Sequence, residues 1–154
     1  MMQNPSEKIR VPAPILTIIH VILAILLRRL APLPIPMPSL VVWIGLGLAA
    51  LGFILGLLAL IEFRRVRAAS GLKKASAGFV STGIYRYSRN PIYLGFVLIL
   101  IGLSLSMGTY WGVILAWSLV VLMNNLVIKS EEISLEKRYK DQYIDYKSKV
   151  RRWL

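Results

Sequence analysis

The sequence contains no cysteine. Disulfides, thiolate metal sites and cysteine nucleophiles are therefore excluded. It contains one histidine, His20, so no cluster of imidazoles can hold a metal. Acidic residues are scarce. Glu7, Glu62, Glu131, Glu132, Glu136, Asp141 and Asp145 are the full set, against 19 Lys and Arg, and the net charge is +12. Between Ser39 and Ile61 there is no charge of either sign. That run exceeds the ~20 residues needed to cross a bilayer core.

What is present is mostly apolar. Hydrophobic residues make up 56% of the 154, and the mean hydropathy is +0.65. Soluble domains carry roughly 45–50% even with glycine counted. The length fits one domain, 1–154. The expected fold is all-α: an integral membrane protein with four transmembrane helices at 11–27, 40–61, 92–107 and 110–128. The last two form a short hairpin, and an amphipathic cytoplasmic helix follows. A basic chain can serve nucleic acid. Here the Lys and Arg flank apolar runs, so the expected partners are membrane lipids and not nucleic acid.

The first run, Val11 to Leu27, ends at Arg28-Arg29 with no small-residue cleavage site before them. It reads as an uncleaved span. His20 lies mid-span, where a histidine facing neighbouring helices with a hydrogen-bond partner is expected. Alternating prolines from Pro32 to Pro38 make a stiff extended connector. Gly45-x-Gly47-x-x-Ala50 mimics a dinucleotide fingerprint but has no preceding strand. With Gly52-x-x-x-Gly56 it reads instead as a helix-packing face. Glu62 then marks the membrane edge, either paired with a neighbouring arginine or turned inward.

Residues 68–91 form a polar segment, dense from Gly83 onward: Gly83-Ile84-Tyr85-Arg86-Tyr87-Ser88-Arg89-Asn90-Pro91-Ile92-Tyr93-Leu94-Gly95. Pro91 suits the first turn of a helix. After Lys129, Leu135, Tyr139, Tyr143, Tyr146 and Val150 recur at helical spacing among charges. Residues 62–91 carry seven Lys and Arg, and residues 129–154 carry eight. Two more lie at the N-terminus and two, Arg28 and Arg29, by the proline connector. With four spans, the Gly83 stretch and Glu131-Glu132 emerge on one cytoplasmic face, together with both termini. Two readings of Glu131-Glu132 stay open. They balance Lys129, Lys137 and Arg138 on a solvated helix, or a carboxylate holds ribose hydroxyls or an amino group. Aromatic loop residues could stack a base, and Arg89 or helix-start N–H groups could take a carboxylate. That set suits a nucleoside cofactor with an amino-acid tail.

Gly83-Ile84-Tyr85, Arg89-Asn90-Pro91-Ile92-Tyr93-Leu94-Gly95, Glu131-Glu132-Ile133-Ser134-Leu135 and the spaced tyrosines resemble the isoprenylcysteine carboxyl methyltransferase and phospholipid methyltransferase family of membrane enzymes. The resemblance covers about the C-terminal half. It implies S-adenosylmethionine as cofactor and a lipophilic acceptor, a prenyl-carboxylate or another lipid, entering sideways near the first two spans. By the resemblance Val80, Gly83, Tyr85, Asn90, Pro91, Tyr93, Leu94 and Glu131 bind the cofactor, and Arg89 and Glu132 are catalytic. Asn90 stands where better-known members have His, and Asn is no acid or base near neutral pH. Val127 stands where the carboxyl methyltransferases have Arg. Of their His-Thr-x-Leu-Val lead-in, Ala77-Gly78-Phe79-Val80 keeps Val80 alone. A carboxylate acceptor needs no base, whereas an amine or thiol does, and Glu62, Glu132 or a water are all open for that role. One rival is an NADPH-dependent sterol-reductase-like oxidoreductase. Such proteins carry an acid just after the loop's last Gly, where this chain has Phe96. The other rival is a small four-helix transporter, which would place an acid inside a span, and none of the four runs contains one.

Overall fold

The computed structural model describes residues 12–36, 39–69 and 79–154. The N-terminal residues with Glu7, Lys8 and Arg10, the connector's Pro38, and Lys73 through Gly78 lie outside them. The described chain is helical: α1 (Ala13–Leu30), α2 (Ser39–Ala69), a 3₁₀ turn (Gly83–Arg86), α3 (Pro91–Ser106), α4 (Trp111–Leu122), a π-helical turn (Met123–Ile128) and α5 (Lys129–Lys149). No β-strand occurs among the described residues.

Among the described residues, three helices are long and apolar enough to cross a membrane: α1, α2, and the continuous helical stretch that α4 opens. At 16 residues, α3 is shorter, roughly 24 Å at 1.5 Å per residue. With these apolar spans the chain is an integral membrane protein. The apolar faces agree: Ile15, Ile18, Ile19 and Ile22 of α1 and Trp43 and Phe53 of α2 are exposed, as lipid-facing residues would be. Two helices run beyond the apolar runs expected to cross the membrane. α2 continues past Glu62 to Ala69, because the arginines there extend a helix they were read as ending. The helix of the last apolar run does not stop at Ile128, because the backbone carries on through the π turn into α5 while the composition changes.

The α2–α3 crossing is close because glycines face each other. A Cβ on Gly52 would stand 2.5 Å from the Gly95 carbonyl oxygen, and one on Gly95 would stand 3.2 Å from Gly56 N. Gly45 and Gly102 meet in the same way further along. The packing face is thus Gly45, Ala49, Gly52 and Gly56, one side of a 3.6-residue helix. Gly47 has nothing within 4 Å and takes no part.

On the buried side of α1, His20 donates from Nδ1 to the Leu16 carbonyl at 2.7 Å. Its Nε2 lies within hydrogen-bond distance, 3.0 Å, of Ser118 Oγ on α4. The histidine is therefore a satisfied interhelical link. At the bundle end away from Glu131, the proline connector meets the α3–α4 turn. Ile35 N donates to Gly108 O at 3.0 Å, Tyr110 N to Leu33 O at 3.1 Å, and Trp111 Nε1 to Ala31 O at 2.6 Å. Gly108 allows this turn at φ +68.

α5 is not one straight helix. Lys140 has φ 43 and ψ −123, and the helix bends there. The bend lets Lys147 Nζ reach Glu136 Oε1 at 2.5 Å. Along a straight helix, residues eleven apart would be separated by about 16 Å.

Candidate functional site

The Gly83 loop is held from three directions. Gly83 has φ +57, and a Cβ there would stand 2.9 Å from Glu62 Cδ. Glycine is thus required both for the turn and for the approach. Glu62 accepts Thr82 Oγ1 at 2.5 Å and pairs with Arg65 at 3.7 Å, which answers its open assignment: it buttresses the loop. From α5, the Tyr146 hydroxyl donates to the Tyr85 carbonyl at 2.7 Å. The third hold comes from the segment after α5, where the chain extends at Val150 (φ −118, ψ 129). Arg89 N donates to Arg151 O at 3.0 Å, and Asn90 Nδ2 donates to Arg152 O at 2.9 Å. Trp153 Nε1 reaches Asn124 Oδ1 on the π turn at 3.3 Å.

These holds enclose a cavity of about 520 Å³ between the loop, the start of α3 and α5. Val80, Tyr85, Arg89, Asn90, Pro91, Tyr93, Glu131 and Glu132 all line it. Gly83 and Leu94 do not: Gly83 shapes the turn, and Leu94 N closes the first turn of α3 on Asn90 O at 3.0 Å. One wall is aromatic. The Phe79 ring sits 5.3 Å from each of Tyr139, Tyr143 and Tyr146. The tyrosines were read as one face of a helix. That they close around Phe79 is a contact across the chain that the spacing alone does not reveal.

The charged part adjoins this wall, where Tyr143 meets Arg89 and Glu132. The Tyr93 hydroxyl is 3.0 Å from both carboxylate oxygens of Glu131. Glu132 is 6% exposed and is gripped by Arg152, with Nε to Oε1 at 3.0 Å and Nη2 to Oε2 at 2.7 Å. Arg89 Nη1 lies 3.1 Å from Glu132 Oε1. This is an ion pair by distance but lacks hydrogen-bond geometry, and Nε and Nη1 of Arg89 are buried without a hydrogen-bond partner. Burial and then the charge of Glu131 push the Tyr85 phenol up to about 12. Burial and then Glu132 push Tyr143 up, against the opposing charge of Arg89. These phenols are donors, not bases, at neutral pH. In the sequence Arg152 is one of eight Lys and Arg after residue 128. Its role rests on a contact twenty residues back along the chain, which the Arg-Arg-Trp cluster alone does not reveal.

For Glu132, burial acts to raise the carboxyl, but the Arg152 hydrogen bonds and the charges of Arg89, Arg152 and Lys147 outweigh it and hold the group below its ordinary 4.5. The folded value is the lower one. Its contribution to stability is therefore complete above the unfolded value and is lost as pH falls through the folded value. Melting profiles of Glu132→Gln should accordingly depend less on pH below about 4.5 than those of the wild type. An unchanged acid limb would remove Glu132 from the ion-pair network.

A second cavity, of about 300 Å³, lies beside the first and shares Ile92, Tyr93 and Glu131 with it. Its other walls are Pro12 to Pro14, Phe96, Leu126, Val127 and Ser130. Glu131 is the one charged residue lining it among the described residues. No group of three or more His, Cys, Asp or Glu that could hold a metal occurs among the described residues.

Residues 40–142 match the phospholipid methyltransferase family. An uncharacterised protein of Haemophilus influenzae is 39% identical over 66 residues, which span 41% of this chain and the whole of that protein. No solved structure matches. The family match takes in α2, the loop, α3 and both glutamates, the parts that build the larger cavity, and on that match the chain belongs to the phospholipid methyltransferase family of membrane proteins.

Proposed function

We propose that this chain is an S-adenosylmethionine-dependent methyltransferase acting on a lipophilic acceptor at the membrane surface. The observation that carries this reading is the pair of adjoining cavities with a common wall of Ile92, Tyr93 and Glu131. One cavity is aromatic, carries Arg89, Glu131 and Glu132 in its wall, and is large enough for a cofactor. The other is apolar and opens beside the first turn of α1.

The residues fit the cofactor. The larger cavity lies within the ~300–1,000 Å³ typical of ligand sites. Its aromatic wall suits a base and a positively charged sulfonium. Glu131, oriented by Tyr93, suits a ribose diol or an amino group. The buried N–H groups of Arg89 that lack acceptors suit a carboxylate. S-adenosylmethionine, when bound, supplies a methyl group already activated for displacement. The chain's contribution is then alignment and exclusion of water, where most of the acceleration of such a step resides.

The acceptor side favours a lipid amine over a prenyl-carboxylate. Val127 and its apolar neighbours bring no cation to it, and the charge of Glu131 attracts an ammonium and repels a carboxylate. Asn90, committed to the Arg152 carbonyl, holds the loop. Glu132, held by two arginines, positions charge within the site. The entry route runs along α1, α3 and the π turn. We further propose that α1 to α4 make four crossings, with α3–α4 as a short hairpin. The termini, the 68–91 segment, α5 and the cofactor cavity then face the cytoplasm. The joined connectors at the far end and the Lys and Arg excess support that orientation.

Radiolabelled methyl donor, purified protein and fractionated lipid extracts test the acceptor. The expected result is label in an amine-headgroup lipid. Label confined to a prenylated carboxylate would overturn the amine assignment, and no transfer into any lipid would count against a lipophilic acceptor.

A further inference from the structure

Glu132 sits between two arginines but treats them unequally. Arg152 takes both carboxylate oxygens in a two-point fork. Arg89 comes within 3.1 Å of one of them, yet its Nε–H and Nη1–H remain buried and without acceptors. The Arg89 side chain is only 10% exposed. The two arginines and Glu132 form a triad whose own charges sum to +1, with Arg152 a third exposed and Arg89 buried, and orphaned buried donors are costly unless an anion completes them. The Arg89 side chain lines the larger cavity.

We propose that Arg152 is a positioning residue. By saturating Glu132 it keeps the guanidinium of Arg89 available for the carboxylate of the bound nucleoside amino acid. This rests on the cofactor reading above. The logic is electrostatic competition. With Arg152 removed, Arg89 is the cation left at ion-pair distance from Glu132 among the described residues, Lys147 being paired with Glu136. The two close on each other, the triad's surplus charge disappears, and Arg89 no longer offers N–H groups to a ligand. Arg152 also carries the backbone carbonyl that accepts Asn90 Nδ2. A side-chain substitution leaves that main-chain contact in place, so the loop anchor and the charge effect can be separated.

The test is calorimetric binding of two probes to purified protein in detergent: S-adenosylhomocysteine, which has the amino-acid tail, and 5′-methylthioadenosine, which lacks it. For Arg152→Ala the expected result is a loss of about tenfold or more in affinity for the first, the scale of a charged hydrogen bond, with the second unchanged within about twofold. Adding Glu132→Gln to Arg152→Ala should restore much of the lost affinity, because the competitor for Arg89 is then neutral. A merely structural arginine would weaken both probes together, and the second substitution would not repair it. Parallel loss of both probes, retention of both, or no recovery in the double variant would overturn the proposal. Wild-type protein that binds neither probe would overturn the underlying cofactor reading instead.

Discussion

Glu131→Ala and Tyr93→Ala should each abolish measurable binding of S-adenosylhomocysteine while leaving helical content and detergent solubility unchanged. The Tyr93 hydroxyl lies 3.0 Å from both oxygens of Glu131, and both residues stand in the wall common to the two cavities. A carboxylate that accepts two ligand hydroxyls makes charge-assisted bonds of about 1.5–3 kcal/mol each. Losing both would weaken binding by ~100-fold or more. Tyr93→Phe should lie between, because the ring still fills the wall while Glu131 loses its orienting donor. Unchanged affinity in Glu131→Ala, measured by calorimetry, would return Glu131 to the solvated-helix reading.

The largest effect on stability is expected at Gly52. A methyl group there would meet the Gly95 carbonyl oxygen at 2.5 Å, Leu98 Cβ at 2.9 Å and Ile99 N at 3.0 Å. Backbone atoms cannot swing aside, so α2 and α3 must separate along their length. Overpacking of this kind costs about 1–3 kcal/mol and sometimes more. The consequence would reach the site, because Gly95 and Tyr93 are two residues apart on α3. Gly52→Ala should therefore lower the melting temperature in detergent sharply and weaken cofactor binding with it. Gly47→Ala is the control. It meets nothing within 4 Å, and alanine is the better helix former by about 1 kcal/mol, so that variant should melt at or above the wild-type temperature. Equal melting of the two variants would remove the glycine crossing as the reason α2 and α3 pack as they do.

Some of this was legible in the residues and some was not, for physical reasons. The loop from Gly83 to Gly95 could be singled out because Arg, Asn, Tyr and Pro are rare between apolar runs. Positive charge counting placed it beside Glu131 before any contact was known. The helices were legible as apolar runs, but their ends were not. Hydropathy falls at Lys129 while the backbone runs on through a π turn, a feature with no simple sequence signal and one that often accompanies function. The glycine face could have been read more sharply. Gly45, Ala49, Gly52 and Gly56 follow the 3.6-residue period, whereas the resemblance of Gly45-x-Gly47-x-x-Ala50 to another motif drew in Gly47, which packs against nothing. The bend at Lys140 was hidden because a lysine at φ 43 announces nothing. Arg152 was the most consequential residue to escape. Its partners, Glu132 and Asn90, are twenty and sixty-two positions away, and no periodicity links them.

The most direct measurement is calorimetric titration of the purified wild-type protein in detergent with S-adenosylhomocysteine and, separately, with NADPH. Saturable one-site binding of S-adenosylhomocysteine and no heat with NADPH is the predicted result. Binding of NADPH without S-adenosylhomocysteine would contradict the account and favour the reductase reading in its place.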